Sequence, residues 1–514
     1  MIKQDIEKAV REALQSLELE TSFTVEHPTD LKMGDFSTNA GIKTGKAKEL
    51  LEHLAAQQLS GMEKVEMAGP GFINFYLSKE FFKESLGEIV DKGSEFGRGE
   101  HAKGYKVMVE HTDPNPFKEF HIGHLMPNVI GSTLARIFEW NGAEVKQVNY
   151  QGDKGLHVAK AVWGILHGKK NPYAAGHKAY ATHKEEIDAI NKKIYDGSDP
   201  EINKVYEEGR EKSLEYFEEI YKKLGTKFDF YFFESETGEV GKKIVEENIG
   251  KVFEESEGAI VFKGSHTRVF ISSKGLPTYE AKDLGNAKLK YDKFPYDLSV
   301  VVTGNEIKDY FKVVLEAMAQ VLPDLAEKTE HLPHGMLRLP SGKMSSRTGD
   351  VITAESLIED VKEKVKGDEA VAIGAIKYMI LRANIGSDII FDIEKSVSTE
   401  GDSGVYLQYA HARANSILEK ADAQARPVSG TQALPVRTIE RLLYRFPEIV
   451  ERAGGEYAPN YIVTYLTELA AAFNNFYAQE EILGNDYRLV ITKAFQTVMK
   501  NGLDILGIPA PEKM

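Results

Sequence analysis

The chain has 514 residues, 42% of them hydrophobic and 28% charged, and no cysteine. The missing cysteine excludes disulfides, thiolate zinc sites and cysteine nucleophiles. With 64 basic and 79 acidic residues the net charge is −15, which speaks against a general nucleic-acid coat but leaves room for a local basic face.

In chain order, "MIKQDIEKAVREALQSLELE" reads as an amphipathic helix over about 2–18, without the apolar core and cleavage site of a signal peptide. No apolar run approaches the roughly 20 residues of a membrane span, so no membrane is expected and the expected location is cytoplasmic. "GDFSTNAGIKTGKA" follows, then a second helical stretch near 47–59. "KVEMAGPGFINFYLS" predicts two strands joined by a Gly-Pro-Gly turn. These form an N-terminal α+β unit over 1–98, closed by the glycine-rich linker "DKGSEFGRGEHAKG".

"YKVMVE" (105–110) is a buried-type strand, and Leu125, Val129, Leu134, Ile137 and Phe138 recur at helical spacing until "NG" at 141–142. "EVKQVNY" (144–150) is the next strand. Strand, loop, helix and strand make a βαβ unit and hence an α/β, parallel-sheet domain over 105–368, with its ligand site at the carboxyl ends of the strands. Residues 160–260, rich in Lys, Glu and Tyr, predict a helical insertion. "AIVF", "RVFIS" and "LSVVV" return to strand, and 369–514 reads as all-α with a break at 421–437.

Two loops carry chemistry. "NPFKEFHIGHLMPN" (115–128) lies in the first βα loop, where helix N-terminal N–H groups favour phosphate. His121 and His124 can donate to phosphoryl oxygens there, and Gly123 admits a base against the backbone. By itself the motif could equally be a chance turn. "SGKMSSRTGD" (341–350) sets Lys343 and Arg347 around small hydroxyl residues, as suits a polyphosphate clamp; by itself it is equally an ordinary basic turn.

Together, His-Ile-Gly-His and this KMSKS-like loop resemble class I aminoacyl-tRNA synthetases. "VEHTDPNPFKEFHIGHL", "VNYQGDKGLH", "LPTYEAKDLGNAKLKY" and "GVYLQYAHARANSIL" resemble segments of arginyl-tRNA synthetases, as do "GDFSTN", "AGPGFINFYL" and the ending "GLDILGIPAPEKM". The resemblance covers nearly the whole chain. It implies a Rossmann-like catalytic domain, an N-terminal additional domain that meets the tRNA D-loop, and a helical anticodon-binding domain. It also implies ATP-dependent joining of L-arginine to tRNA(Arg) through arginyl-adenylate, with ATP supplied as its Mg2+ complex, no zinc and no protein-held metal. A monomer is expected.

The resemblance makes His121, His124, Lys118 and Lys343 the catalytic set, and Gly123, Met344, Ser345 and Arg347 further ATP contacts. Glu110, Asn115, Tyr279 and Asp283 would hold arginine, with Asn305 and Glu306 in the region that closes the pocket. Tyr279 and Asp283 are four apart, on one face of a helix; without the resemblance Asp283 reads as a surface ion pair. Phe72 and Asn74 would meet the D-loop, and Tyr406, Gln408, Tyr409 and Arg413 the anticodon. Phe473, Phe476 and Tyr477 read as helix core. Met126, Pro127 and Asn128 stand where the family usually has Arg-Ser-Thr, Lys154 replaces a tryptophan, and Ser346 replaces the second loop lysine. Proline suits an early helical position, so the fold is not threatened, but the contacts of the replaced arginine are missing. Lys118 or Arg347 would then supply the charge missing at Ser346. The competing functions are another HIGH-type nucleotidyltransferase and a tRNA-binding paralogue with little or no aminoacylation.

Overall fold

The computed structural model describes residues 2–340, 352–423 and 436–514. At its centre is a five-stranded sheet: β1 (Lys106–Glu110), β2 (Glu144–Gln151), β3 (Phe230–Phe233), β4 (Leu298–Gly304) and β5 (Thr329–His334). Every pair is parallel, in the order β5-β4-β1-β2-β3. Both faces are covered, so the strands are apolar without alternation: Val107 to Val109 and Val300 to Val302 are all buried. The chain leaves β1 toward β2 and β3 and returns to β4 on β1's other side. The crevice at this reversal, beyond the carboxyl ends of β1 and β4, is where such sheets bind ligands.

Helix α1 (Ile122–Trp140) follows β1; α2 (Pro200–Leu224), α3 (Glu234–Glu246), α4 (Tyr279–Lys293) and α5 (Lys308–Val321) come later. α1 is apolar around most of its circumference because it is covered on nearly all sides, Val129, Ile130, Leu134 and Ile137 being at most 2% exposed. Pro127 is the sixth residue of α1, beyond the first turn, so the expectation of an early position is corrected. It removes the N–H that would bond the Gly123 carbonyl.

The region 160–260 is not one helical insertion. Helices fill it as far as Leu224, but "FYFF" forms β3 and pairs with β2 at the sheet edge. A four-residue apolar run carries no periodicity that separates a strand from a helix segment. Ala259–Lys263 and Thr267–Ile271 are strands, but they join Glu254–Ser256 in a separate antiparallel sheet.

The N-terminal unit is a four-stranded antiparallel sheet with its own core, including Ile6, Val10, Leu50 and Phe75. At the other end lie α6 (Gly404–Ala423), α7 (Pro459–Gln479) and α8 (Asp486–Ile505). Their core is continuous with that of the sheet: Leu466, Phe473 and Phe495 belong to the same cluster as Val129 and Leu134.

Candidate active site

A cleft of about 580 Å³ opens at the reversal point, between the loop after β1 and the loop after β4. One end carries hydrogen-bond donors. His121 caps α1: its Nδ1 accepts the Gly123 N–H at 3.1 Å, and His124 Nδ1 accepts the His121 N–H at 3.3 Å. The rings stack with centroids 3.7 Å apart. Since each Nδ1 accepts, each proton sits on Nε2, which leaves one outward donor per ring. Burial, then neighbouring positive charge, lowers both pKa values, so both rings are neutral donors at neutral pH.

Lys118 lines the same cleft, and among the described residues no carboxylate lies within ion-pair distance of it. Its ammonium sits 5.3 Å from the Tyr173 ring, and burial lowers its pKa. Lys343, Met344, Ser345, Ser346 and Arg347 lie outside the described residues. The chain on either side of them borders the site: Met336 and Leu337 line the cleft, and Ile352 accepts the Ile122 N–H at 3.1 Å.

The other end is acidic. Glu110, Asp113, Glu234, Asp283 and Glu306 line the cleft. Two of these are already neutralised: Lys290 reaches Glu110 at 2.7 Å and Lys282 reaches Glu234 at 2.5 Å, both pairs buried. Asn286 also donates to Glu110, at 2.9 Å, so this residue, expected to hold arginine, enters the wall with its charge satisfied. Asp113, Asp283 and Glu306 have no cation within ion-pair distance among the described residues. The Tyr310 hydroxyl donates to Asp283 Oδ2 at 2.5 Å, and the Tyr150 N–H to Asp113 Oδ1 at 2.8 Å. Burial is the main cause that pushes the Asp283 carboxyl up to about 7; the Tyr310 bond opposes this and Glu110 adds to it. Asp113 is raised by burial and then by Glu110. Such a site is short of positive charge.

Tyr279 opens α4 and Asp283 lies one turn on, so the helical spacing holds and both face the cleft. Tyr279 is 60% exposed, at the mouth, with the Lys282 ammonium 5.1 Å from its ring. Asn115 also lines the cleft, and Gly152 makes room for it: a Cβ at 152 would run into Asn115 Oδ1 and Glu234. Glu306 lines the cleft as well, on the turn Asn305–Ile307 after β4. Sequence reading missed Asp113, Glu234 and Tyr310. Asp113 lay within a quoted motif, and its signal was an acid two residues before the asparagine.

The loop after β1 is strained. Thr112, Asp113 and Phe117 have φ of 82°, 45° and 68°. For non-glycine residues such backbone costs about 1–3 kcal/mol each and must be held by its surroundings.

The residues expected to meet RNA divide by exposure. Phe72 is 40% exposed, whereas Asn74 is buried and accepts the Ser37 hydroxyl at 2.7 Å. Tyr406 accepts from Asn474 through its hydroxyl. Gln408 is fully buried and donates to the Ala370 and Pro509 carbonyls, so it packs the C-terminal segment and presents nothing to a ligand. The Arg413 guanidinium lies over Tyr409 at 4.7 Å and Tyr477 at 5.1 Å, with Asn474 Oδ1 accepting from it. Phe473 and Phe476 are core as expected, but Tyr477 is 46% exposed, which corrects the expectation that it is core. It falls on the outer side of α7, next to the buried Phe476.

A reversal-point cleft with a capping histidine pair is the catalytic unit of a class I aminoacyl-tRNA synthetase, and the model for "tRNA synthetases class I (R), catalytic domain" matches residues 88–393. The "Arginyl tRNA synthetase N terminal domain" matches 1–77 and the "DALR anticodon binding domain" 407–514. The chain belongs to the arginyl-tRNA synthetase family. It is 30% identical to the arginine–tRNA ligase of Ligilactobacillus salivarius, covering 100% of this chain and 99% of that one. It is 29% identical to that of Treponema denticola, covering 100% of both. In fold it is similar to the Thermus thermophilus arginyl-tRNA synthetase (TM-score 0.79, 24% identity, 100% of both chains). It is also similar to the Plasmodium falciparum enzyme (TM-score 0.81, 19% identity, 100% of this chain and 99% of that one).

Proposed function

We propose that the protein joins L-arginine to tRNA(Arg) at the expense of ATP. The observation that carries the reading is the cleft's pairing of a donor end, His121, His124 and Lys118, with an acidic end where, among the described residues, Asp113, Asp283 and Glu306 have no cation within ion-pair distance. In the first step the arginine carboxylate attacks the α-phosphate in line, and pyrophosphate leaves. In the second the 2′-hydroxyl of the terminal adenosine takes the arginyl group and AMP leaves. No enzyme nucleophile is needed; the protein positions the reactants and stabilises charge on phosphoryl oxygens. The Nε2–H groups of His121 and His124 are aimed for that. Two neutral imidazoles and a lysine suit phosphate oxygens rather than a hard cation, so Mg2+ enters as part of the ATP substrate, carried on its phosphates.

Asp283, with Tyr279 and Tyr310 beside it, takes the guanidinium, whose planar fork a carboxylate matches and a lysine ammonium does not. Lys118 supplies the phosphate-end charge that Ser346 cannot. Phe72 on the N-terminal unit and the Arg413–Tyr409–Tyr477 platform on the helical unit bind the tRNA. The protein acts as a monomer in the cytoplasm, with units at 1–98, 105–368 and 369–514. The test is aminoacylation of a tRNA mixture with each amino acid. Arginine alone should be incorporated, and no charging at all would leave the tRNA-binding paralogue. In single-turnover adenylate formation, Lys118→Ala should lose about 10²-fold, as for one oxyanion-type donor. A near-normal rate, with Arg347→Ala crippled, would move that role to Arg347.

A further inference from the structure

A directed chain of buried hydrogen bonds runs behind the acidic end. The Thr226 hydroxyl donates to Asn128 Oδ1 at 2.8 Å, and Asn128 Nδ2 donates to Thr112 Oγ1 at 3.1 Å. Thr112 Oγ1 is 2.7 Å from His111 Nδ1, and His111 Nε2 is 3.2 Å from Gln147 Oε1. Gln147 Oε1 can only accept, so a neutral His111 carries its proton on Nε2 and its Nδ1 accepts from the Thr112 hydroxyl, which in turn accepts from Asn128 Nδ2. His111 Nε2–H then donates to Gln147. Each link then runs from a donor to an acceptor with His111 neutral. All these partners except Gln147 are buried. α1 has no side chain at Gly131, where a Cβ would collide with His111.

The chain passes through Thr112, which has the largest positive φ among the described non-glycine residues. Thr112 is β-branched at φ 82°, followed by Asp113 at φ 45°. Asn128 lies in the stretch where this sequence departs from the Arg-Ser-Thr usual in the resembled family. We propose that Asn128 is a positioning residue: through Thr112 it holds the left-handed turn that carries Asp113 into the cleft beside Asp283. This rests on the arginine reading of that cleft. Asn128 touches no substrate; it transmits the position of α1, which carries the phosphate-binding histidines, to the acidic end.

The test uses arginine-dependent pyrophosphate exchange with tRNA present, together with hydrogen exchange at the Tyr150 amide, which Asp113 accepts. Asn128→Ala should raise the arginine KM about tenfold, as expected for a broken buried hydrogen bond, with the ATP KM unchanged. It should also expose the Tyr150 amide. Glycine adopts φ above zero freely, so in the Thr112→Gly background the same substitution should change the arginine KM less than about threefold. Thr226→Val, which keeps the shape and removes the first donor, should act in the same direction as Asn128→Ala if that variant folds poorly. Arginine and ATP KM rising together, or full additivity of the Thr112 and Asn128 changes, would overturn the proposal. So would unchanged Tyr150 protection in Asn128→Ala, a readout independent of substrate. A wild-type protein without arginine-dependent exchange would sink the substrate assignment, while the Tyr150 measurement would still decide the network.

Discussion

In the proposed arginine pocket, Asp283 is the residue on which substrate choice turns. Burial, with Glu110 and Glu234 adding to it, pushes its carboxyl up to about 7. A bound guanidinium favours the ionised form, so arginine should expel a proton on binding near pH 6.5. The arginine KM should fall as pH rises from about 6 to 8. For folding the sign is opposite: a carboxyl with a raised folded pKa costs stability progressively as pH rises from its unfolded value of 3.8 through about 7. Calorimetry in buffers of different ionisation heat reads the proton directly. Asp283→Asn should abolish that proton release and weaken arginine by about 3–5 kcal/mol, the cost of losing one partner of a buried ion pair. An unchanged arginine KM would remove Asp283 from the pocket.

At the scale of elements, the N-terminal sheet is fastened to the helix Phe446–Gly455 through one carboxylate. Glu448 accepts from Lys3 at 2.6 Å and from His27 Nε2 at 3.0 Å, while the other ring nitrogen of His27 faces the Asp35 carbonyl at 2.7 Å. Both nitrogens of His27 therefore face acceptors. Tyr444 adds an edge contact to Phe81 and Phe82, and Arg441 pairs with the buried Asp35. The Glu448 carboxyl is held down at about 2, with His27 and then Lys3 outweighing its burial. Its contribution is present above the unfolded value of 4.5 and disappears as pH falls from there through about 2. Glu448→Gln should speed amide exchange in the N-terminal sheet by the equivalent of about 1.5–3 kcal/mol, the range for charged hydrogen bonds. The effect should shrink below pH 4. Equal protection in both proteins at pH 7 would show that the aromatic contacts and the Arg441–Asp35 pair dock the unit without Glu448.

For the whole molecule, the cores of the catalytic sheet and the helical unit are one, so a ligand on the Arg413 platform acts on a body continuous with α1. The resemblance implies that arginine activation needs tRNA, and pyrophosphate exchange should therefore be weak without it. Robust exchange in its absence would contradict that carry-over. Despite the −15 charge, tRNA affinity should fall steeply with salt, because phosphate contacts release counterions. Tyr477→Ala should cost about 1–3 kcal/mol of tRNA binding, the value of one stacked base, with the arginine KM at saturating tRNA unchanged. Unaltered tRNA affinity would return Tyr477 to a surface residue without a ligand.

What the sequence determined by itself was local or carried by contiguous motifs. The βαβ unit followed from apolar runs and the "NG" stop, and the histidine pair from its place at a helix start. The 279/283 face followed from helical spacing. Tertiary structure decided whatever depends on partners distant in the chain. Glu110 is neutralised by Lys290, 180 positions away, and no local pattern records a buried ion pair. Lys377 is 1% exposed and donates to the Leu224 and Gly507 carbonyls, partners 153 and 130 positions away. The four residues of β3 find their sheet only by pairing with β2, and Gln408 and Tyr477 exchange roles through packing alone. Periodicity shows which face of a helix is apolar; only the neighbours that close over it decide which charges keep their water and which are left facing a ligand.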